Sequence, residues 1–173
     1  MKKLTLSVAL FMLTCCTVFA QLTKEQTIGE WKRAKLYTKA YLDAMPADGY
    51  TFKATPEVRT FAQQMLHLTD ATYYFISTAS GTASPLGKTS AEKTVAQTKE
   101  ATTAAVLASY DYAISAIEAM PEDKMQENAG EEKMKMPKAL FLAKAFEHQT
   151  HHRGQTTIYL RLKGVTPPPE MLF

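Results

Sequence analysis

Apolar side chains recur at three- and four-residue steps along four stretches of the chain, and this spacing is typical of one face of an α-helix. The stretches cover residues 24–45, a segment that opens after Thr55-Pro56-Glu57, residues 90–120 and residues 137–163. Glycine is scarce, and no alternation of β-branched residues continues for the length of a strand. Four amphipathic helices of this length predict an all-α fold, a four-helix bundle that forms a single domain.

Helix-terminating signals bound these segments. Thr55 is a typical N-cap residue, and proline is common at the first helical position, which Pro56 would occupy. We therefore expect the second helix to begin there. The fourth helix is expected to end at Gly164, ahead of three consecutive prolines. Residues 79–89 and 121–136 are predicted to be connecting loops. The apolar stripe of the second helix is Val58, Phe61, Met65, Leu68, Thr72 and Phe75.

The middle of the last predicted helix is polar where a core is expected. Residues 147–157 contain no aliphatic side chain, although apolar clusters flank them on both sides. A helix that served only core packing would not carry two histidines on its buried face, so this segment is the first candidate for a functional site. The positions predicted to face the bundle interior, at alternating steps of four and three residues, are Phe141, Ala145, His148, His152, Gln155, Tyr159 and Leu162.

Two interpretations of His148 and His152 compete. In the first, they face solvent or are satisfied in the core by Gln155 and threonine hydroxyls. In the second, they bind a divalent cation. A buried polar group without a partner costs about 1–3 kcal/mol, and one cation would serve both imidazoles. Histidines at positions i and i+4 of a helix can converge on one ion, but the spacing alone leaves both interpretations open.

A tight metal site needs a third ligand, and His67 is the one histidine outside the cluster in the last helix. It lies beside the apolar stripe of the second predicted helix, a position that on its own favours a partly exposed structural histidine. Because metal sites in bundles are built from facing helices, His67 is nevertheless the candidate third ligand. A site of His67, His148 and His152 would leave coordination positions open, and water bound there would have its pKa lowered toward neutrality.

Other side chains near the predicted site are assigned weaker roles. His151 points about 100° away from the predicted ligand face, so we expect it to pair with Glu147. Gln155 and Asp70 are candidates to hydrogen-bond the second nitrogen of a ligand imidazole, and Arg153 has no assigned role. Most tyrosines at helical spacing are predicted to fill the core with the hydroxyl at its edge. These are Tyr37, Tyr41, Tyr73, Tyr74, Tyr110 and Tyr112.

The first twenty residues differ in composition from the rest of the chain. A basic N-terminus precedes a nearly uncharged run that ends with Val18-Phe19-Ala20, and this pattern predicts a signal peptide over residues 1–20. We therefore expect an exported protein, periplasmic or secreted, with no stable membrane insertion after cleavage. A lipoprotein anchored at Cys16 is the less favoured alternative, because Cys15 stands where such signals have a small residue.

Composition and charge exclude several classes of protein. Cleavage would leave 153 residues with 18 basic and 17 acidic side chains, a net charge of +1. A net charge of +1 does not support nucleic-acid binding, and the sequence contains no basic stripe with interleaved aromatic residues. The 46% apolar content argues against a disordered chain. Both cysteines would leave with the signal peptide, so the mature chain would have no disulfide and no cysteine nucleophile.

The segment from His148 to Gln155, followed by Tyr159-Leu160-Arg161, Gly164 and Pro167-Pro168, resembles the C-terminal signature of the DinB/YfiT-like metalloenzyme family. An upstream segment is similar to the second-helix region of the same family: Tyr50-Thr51-Phe52-Lys53-Ala54-Thr55-Pro56, Arg59-Thr60-Phe61 and then His67. The resemblance covers nearly all of residues 21–173. It implies a four-helix bundle that binds a divalent ion through His67, His148 and His152 and forms a homodimer.

The family resemblance leaves the reaction open. Relatives include thiol-dependent transferases, but export would make a reduced thiol scarce and favours water as the nucleophile of a hydrolase. The expected substrate is a small molecule, and the expected metal is zinc or nickel, with iron and copper also compatible with three imidazoles. The alternative is a non-catalytic metal-binding or stress-related exported protein whose metal holds two helices together.

Overall fold

The computed structural model describes residues 22–173, so the predicted signal peptide over residues 1–20 and both cysteines lie outside the described residues. Within residues 22–173 the helices are α1 (Lys24–Ala44), α2 (Phe61–Ser80), α3 (Ala91–Thr94), α4 (Lys99–Ala119) and α5 (Lys138–Leu162). Two short antiparallel strands, β1 (Asn128–Ala129) and β2 (Met136–Pro137), lie in the connection before α5. Single 3₁₀ turns occur at Ala47–Gly49, Glu122–Lys124 and Glu132–Met134.

The four long helices pack as the predicted all-α four-helix bundle. α2 packs against both α5 and α4, and α1 packs against α4 and α5. Every one of these helices contributes to one continuous apolar core. Its largest fully buried side chains are Trp31, Tyr50, Tyr110, Phe61 and Phe141. No helix within residues 22–173 has both the length and the apolar content needed to cross a bilayer.

The prediction that the second helix begins after Pro56 was wrong, because α2 begins at Phe61. The Thr60 hydroxyl accepts a hydrogen bond from the backbone of Gln63, and the Gln63 side chain accepts one from the backbone of Thr60, both at 3.0 Å. This reciprocal capping box satisfies two backbone donors that a helix end otherwise leaves free, and it therefore determines the start. Val58, predicted to be on the apolar stripe, precedes the helix and is 37% exposed.

The prediction of one continuous third helix over residues 90–120 was also wrong. The chain forms the single turn α3, becomes extended at Val95 and starts again as α4. The Thr98 hydroxyl caps α4 by accepting a hydrogen bond from the Ala101 backbone at 3.2 Å. On the other side of the break, the Asp70 carboxylate on α2 accepts hydrogen bonds from the first turn of α3. Two separate caps therefore hold two separate helices.

The C-terminal end of α5 confirms the predicted stop. Gly164 adopts a left-handed conformation with φ of 74°, which glycine reaches without a steric penalty. The Val165 N–H bonds to the Leu160 carbonyl at 2.9 Å, and the Gly164 N–H bonds to the Arg161 carbonyl at 3.0 Å. This pair of bonds is the Schellman motif, which satisfies the last carbonyls of the helix.

The buried face of α5 is wider than the predicted single seam. Gln155 and Leu162 were predicted to face the interior, but both are exposed, and His148 is half-buried. The reason is that α5 packs against α2 on one side and α1 on the other, so its buried positions form two adjacent rows. The predicted positions that are buried are Phe141, Ala145, His152 and Tyr159, and the additional ones are Leu142, Gln149, Arg153, Thr156 and Leu160.

The row of α5 that faces α1 and α4 contains a buried polar cluster. The Arg153 guanidinium lies over the ring of Tyr37 at 4.4 Å, and its Nη1 donates to Gln149 Oε1 at 3.0 Å. The Tyr110 hydroxyl donates to the same oxygen at 2.8 Å and is 2.7 Å from the Thr38 hydroxyl. Burial lowers the pKa of Arg153 and raises the pKa of Tyr110 to about 12. The cluster joins three helices and fixes the rotation of α5.

Two glycines give a paired test of this fold. A Cβ at Gly154, in the middle of α5, would meet no atom within 4 Å, whereas one at Gly130 would lie 2.7 Å from the Met134 carbonyl oxygen. Gly154→Ala should therefore raise the free energy of unfolding by about 0.5–1 kcal/mol. Gly130→Ala should lower it by more than about 1 kcal/mol, because the φ of 82° also disfavours alanine. Urea denaturation measures both, and effects of the same sign would contradict this description of the backbone.

Candidate metal centre

Three imidazole rings meet where α2 packs against α5. The ring centroid of His67 lies 5.3 Å from that of His148 and 4.7 Å from that of His152, and the last two are 4.3 Å apart. One nitrogen from each ring lies within 4.8 Å of the other two. Nitrogens that share a tetrahedral zinc ion are about 3.4 Å apart, given Zn–N bonds of about 2.0–2.1 Å. The three rings are therefore close enough to hold one ion after small side-chain movements.

The helical register explains this convergence. His148 and His152 are one turn apart on α5, so their side chains lie one above the other on the same face. Their Nε2 atoms are 3.1 Å apart. His67 flanks the buried face of α2, as the sequence predicts, and it is partly buried. That flanking position places it at the line where α2 meets the histidine face of α5.

Hydrogen bonds do not fully satisfy the two α5 histidines as a closed core would require, and their facing Nε2 atoms are the ones placed to share a cation. Within residues 22–173, the Nδ1 atoms of His148 and His152 are among three buried side-chain atoms without a hydrogen-bond partner. Their Nε2 atoms face each other, and one hydrogen at most can lie between them. Buried polar atoms in folded proteins are nearly always satisfied. Two adjacent exceptions indicate that these rings serve something other than packing.

All three rings are in the form that binds metals at neutral pH. Burial, followed by the positive charges of neighbouring groups, lowers the pKa of His152 to about 3 and that of His148 to about 4. Burial and the adjacent Arg59 guanidinium also lower the pKa of His67, against the opposing effect of Glu92. A neutral imidazole has a nitrogen lone pair available for a metal, whereas a protonated one has none.

The surroundings of His67 contain a pair of charged residues that sequence reasoning missed. The His67 Nδ1 lies 3.4 Å from Glu92 Oε2 and 3.4 Å from Arg59 Nη2. The Arg59 Nε donates to the other Glu92 oxygen at 2.9 Å. Glu92 belongs to α3, which the sequence pattern merged with α4, so no signal in the chain placed it beside α2.

Three predictions about neighbouring side chains were wrong. Within residues 22–173, Asp70 does not hydrogen-bond any of the three clustered imidazoles, because it caps α3 by accepting hydrogen bonds from the Ser90 hydroxyl and the Ala91 backbone, both at 2.6 Å. Gln155 bonds to His151 at 2.8 Å on the exposed side of α5. In the described part of the chain, His151 forms no hydrogen bond or salt bridge with Glu147, although its charge is a minor cause, after Lys144, of the lowered pKa of Glu147. The Glu147 carboxylate instead accepts from Lys144, also at 2.8 Å.

Most of the tyrosines pack in or against the core, as predicted. Tyr37 and Tyr41 make an edge-to-face contact with ring centroids 5.4 Å apart, and Tyr73 and Tyr112 make another at 5.1 Å. Tyr110 is fully buried, whereas Tyr74 is 47% exposed.

A cavity of about 530 Å³ opens beside His152. Polar and charged side chains dominate its lining, which is Lys53, Glu57, Val58, Arg59, Gln63, Gln64, Glu92, His152 and Gln155. The histidine cluster is thus reachable from outside the bundle. A larger groove of about 990 Å³ lies between α1 and the first half of α5. It is mainly apolar and includes none of the three clustered histidines.

Comparisons with known proteins agree with the fold and the sequence signature. A family profile described as "DinB family" matches residues 18–171. The fold is similar to a crystal structure of a DinB-like protein from Bacillus cereus ATCC 10987, with a TM-score of 0.73 and 19% identity over 84% of this chain and 96% of that one. A DinB-like protein from Bacillus subtilis is also similar, with a TM-score of 0.67 and 19% identity over 86% and 96%. No curated protein matches the sequence.

The lowered pKa values of His148 and His152 predict an acid-sensitive fold. Between the folded pKa values of about 3–4 and the ordinary histidine pKa of 6.5, the unfolded chain binds protons that the folded chain does not. The free energy of unfolding of the metal-free protein must therefore fall as the pH falls through this window. In His152→Gln, one such group is absent and the fall should be smaller.

Chelator-treated protein can be unfolded with urea at about pH 7, which is above this window, and at about pH 4.5, which is well inside it. The control is His151→Gln, which removes an exposed imidazole of the same helix and should change the pH dependence less than His152→Gln, because His151 is only a minor cause of the two lowered pKa values. Equal pH dependence in wild type and His152→Gln would contradict the buried, neutral state of His152.

Proposed function

Because the chain belongs to the DinB family, as its sequence signature indicates, we propose that it is a metal-dependent enzyme whose divalent ion is bound by His67, His148 and His152. The proposed metal is zinc or nickel, and iron and copper also accept three imidazole ligands. The proposed substrate is a polar small molecule that enters through the cavity beside His152.

One observation carries this proposal: three neutral imidazoles from two helices meet beside a polar cavity that opens to solvent. Three protein ligands with an open side are typical of catalytic metal sites, whereas structural sites are closed by four. An ion in such a site supplies Lewis acidity, lowering the pKa of a coordinated water or thiol and polarising a bound substrate. The larger apolar groove has no comparable set of ligands.

The protein's own residues would have three tasks in this reaction. The histidines hold their lone pairs toward one point without a competing proton at neutral pH. Polar side chains of the cavity, among them Lys53 and Gln63, would bind and orient the substrate. The Phe75 ring, whose centroid lies 6.1 Å from that of the His148 imidazole, would shield one side of the cluster from water.

Hydrolysis is favoured over thiol transfer within this proposal. The predicted export would place the protein where reduced thiols are scarce, so water is the more available nucleophile. The predicted homodimer and the location outside the cytoplasm belong to the same proposal. The competing function is that of a non-catalytic protein in which the ion only joins α2 to α5.

The ligand assignment predicts the metal content of four variants. His67→Ala, His148→Ala and His152→Ala should each lower the bound metal from about one ion per chain to a small fraction of that, because two imidazoles do not make a tight site. His151→Ala should keep the full content. Elemental analysis of protein purified without a histidine tag measures the content, and circular dichroism checks the fold. Full metal content in both His148→Ala and His152→Ala would contradict the assignment.

The open side of the site predicts access for added ligands. In cobalt-substituted protein, azide or imidazole should change the visible spectrum, because a coordination position is free for exchange. Chelation should remove this spectrum and lower the melting temperature only modestly. If neither ligand changed the spectrum and chelation caused a large loss of stability, the non-catalytic alternative would be the correct one.

A further inference from the structure

We propose that Glu92 is a positioning residue that orients His67 for metal binding by accepting a hydrogen bond from its Nδ1. This inference rests on the proposed function, because it assigns a role toward the same ion. Glu92 would not touch the ion or the substrate. Its task is to hold the imidazole of His67 in the tautomer and rotation that direct Nε2 toward the other two rings.

The geometry around His67 supports this role. Glu92 Oε2 lies 3.4 Å from His67 Nδ1, which is a long contact that a small rotation of either side chain would convert into a hydrogen bond. The other Glu92 oxygen is held at 2.9 Å by Arg59 Nε. The carboxylate is thus fixed at one end and directed toward the imidazole at the other. Carboxylates in this arrangement orient many metal-binding histidines and raise their affinity for the ion.

The alternative partner of His67 Nδ1 would have the opposite effect. Arg59 Nη2 also lies 3.4 Å from this nitrogen, but a guanidinium can only donate a hydrogen bond. If Arg59 donated to Nδ1, the hydrogen of the neutral ring would reside on Nε2 and block it as a ligand. If Nδ1 donates to Glu92, the hydrogen resides on Nδ1 and the Nε2 lone pair is free. Removal of the Glu92 carboxylate should therefore favour the tautomer that does not bind metal.

The position of Glu92 depends on Asp70, one turn along α2 from His67. The Asp70 carboxylate accepts hydrogen bonds from the Ala91 backbone at 2.6 Å and from the Glu92 backbone at 3.2 Å. It therefore attaches the single turn α3 to the same helix that carries His67. The side chains of Glu92 and His67 are therefore both held relative to α2.

The test compares two variants that remove one negative charge each from the same cavity. Glu92→Gln replaces the carboxylate beside His67, whereas Glu57→Gln replaces an exposed carboxylate that lines the cavity and bonds to Thr55. Titration with Co²⁺ and competition with Zn²⁺ measure the affinities. We expect Glu92→Gln to weaken binding about tenfold to a hundredfold. The expected change in Glu57→Gln is less than about threefold, since an exposed charge is screened by solvent.

A second readout reports the tautomer of His67 without any metal. Long-range ¹H–¹⁵N correlation spectra of the metal-free protein, assigned with a His67→Gln variant, distinguish a protonated Nδ1 from a protonated Nε2. We expect a protonated Nδ1 in wild type and in Glu57→Gln, and a shift toward a protonated Nε2 in Glu92→Gln. The same tautomer in all three proteins would overturn the role of Glu92.

The two readouts separate this inference from the proposed function. If wild type and Glu92→Gln bound Co²⁺ equally well while His152→Ala did not, the metal site would stand and the role of Glu92 would be refuted. If wild type bound no better than His152→Ala, the metal site would be refuted, and with it the role of Glu92 toward an ion. The spectra would then show whether Glu92 still orients the ring.

Discussion

The packing of α2 against α5 is the constraint on which the candidate site depends. His148 and His152 are adjacent through the local geometry of one helix, but His67 reaches them only because two helices far apart in sequence have one particular register. A shift of either helix by one residue would rotate its histidines by about 100° and separate the three rings. The fold therefore has to fix the rotation of α5 and the axial position of α2 independently.

Two capping and anchoring arrangements do this. The Thr60 and Gln63 capping box determines where α2 begins, and the Tyr159 hydroxyl of α5 donates to the Arg59 carbonyl beside that start at 2.7 Å. On α5, the buried cluster of Arg153, Gln149 and Tyr110 opposes rotation from the side that faces α1 and α4. Within residues 22–173, the Arg153 guanidinium contacts the Tyr37 ring and the Gln149 amide and forms no salt bridge with a carboxylate. A buried cation without an acidic partner is costly, and the aromatic face of Tyr37 and the amide of Gln149 offset part of that cost.

The spacing of apolar residues predicted those elements that depend on interactions within one segment of the chain. The four long helices, the stop at Gly164 and the stacking of His148 on His152 follow from spacing within one segment. His67 was selected because a third ligand from a facing helix was required and no other histidine lies outside the last helix. Glu92 could not be found in this way, because its place beside His67 depends on the cap that Asp70 provides across about twenty residues, and the pattern of the segment resembled a longer helix. Arg153 was overlooked because an arginine between polar neighbours resembles a surface residue. Its burial is evident only from the packing of α5 against α1 and α4.

The electrostatics of the histidine cluster also bear on how an ion would be taken up. Burial, followed by the positive charges of neighbouring groups that include His67, lowers the pKa of His148 and of His152. At neutral pH the ligands are consequently already deprotonated, and an ion would not have to displace protons before binding. The unsatisfied Nδ1 atoms and the facing Nε2 atoms have already been desolvated by folding. Because folding has already desolvated these nitrogens, the free energy of that desolvation would not be lost again on binding, and the preformed cluster would favour a cation over a site that had to assemble around it.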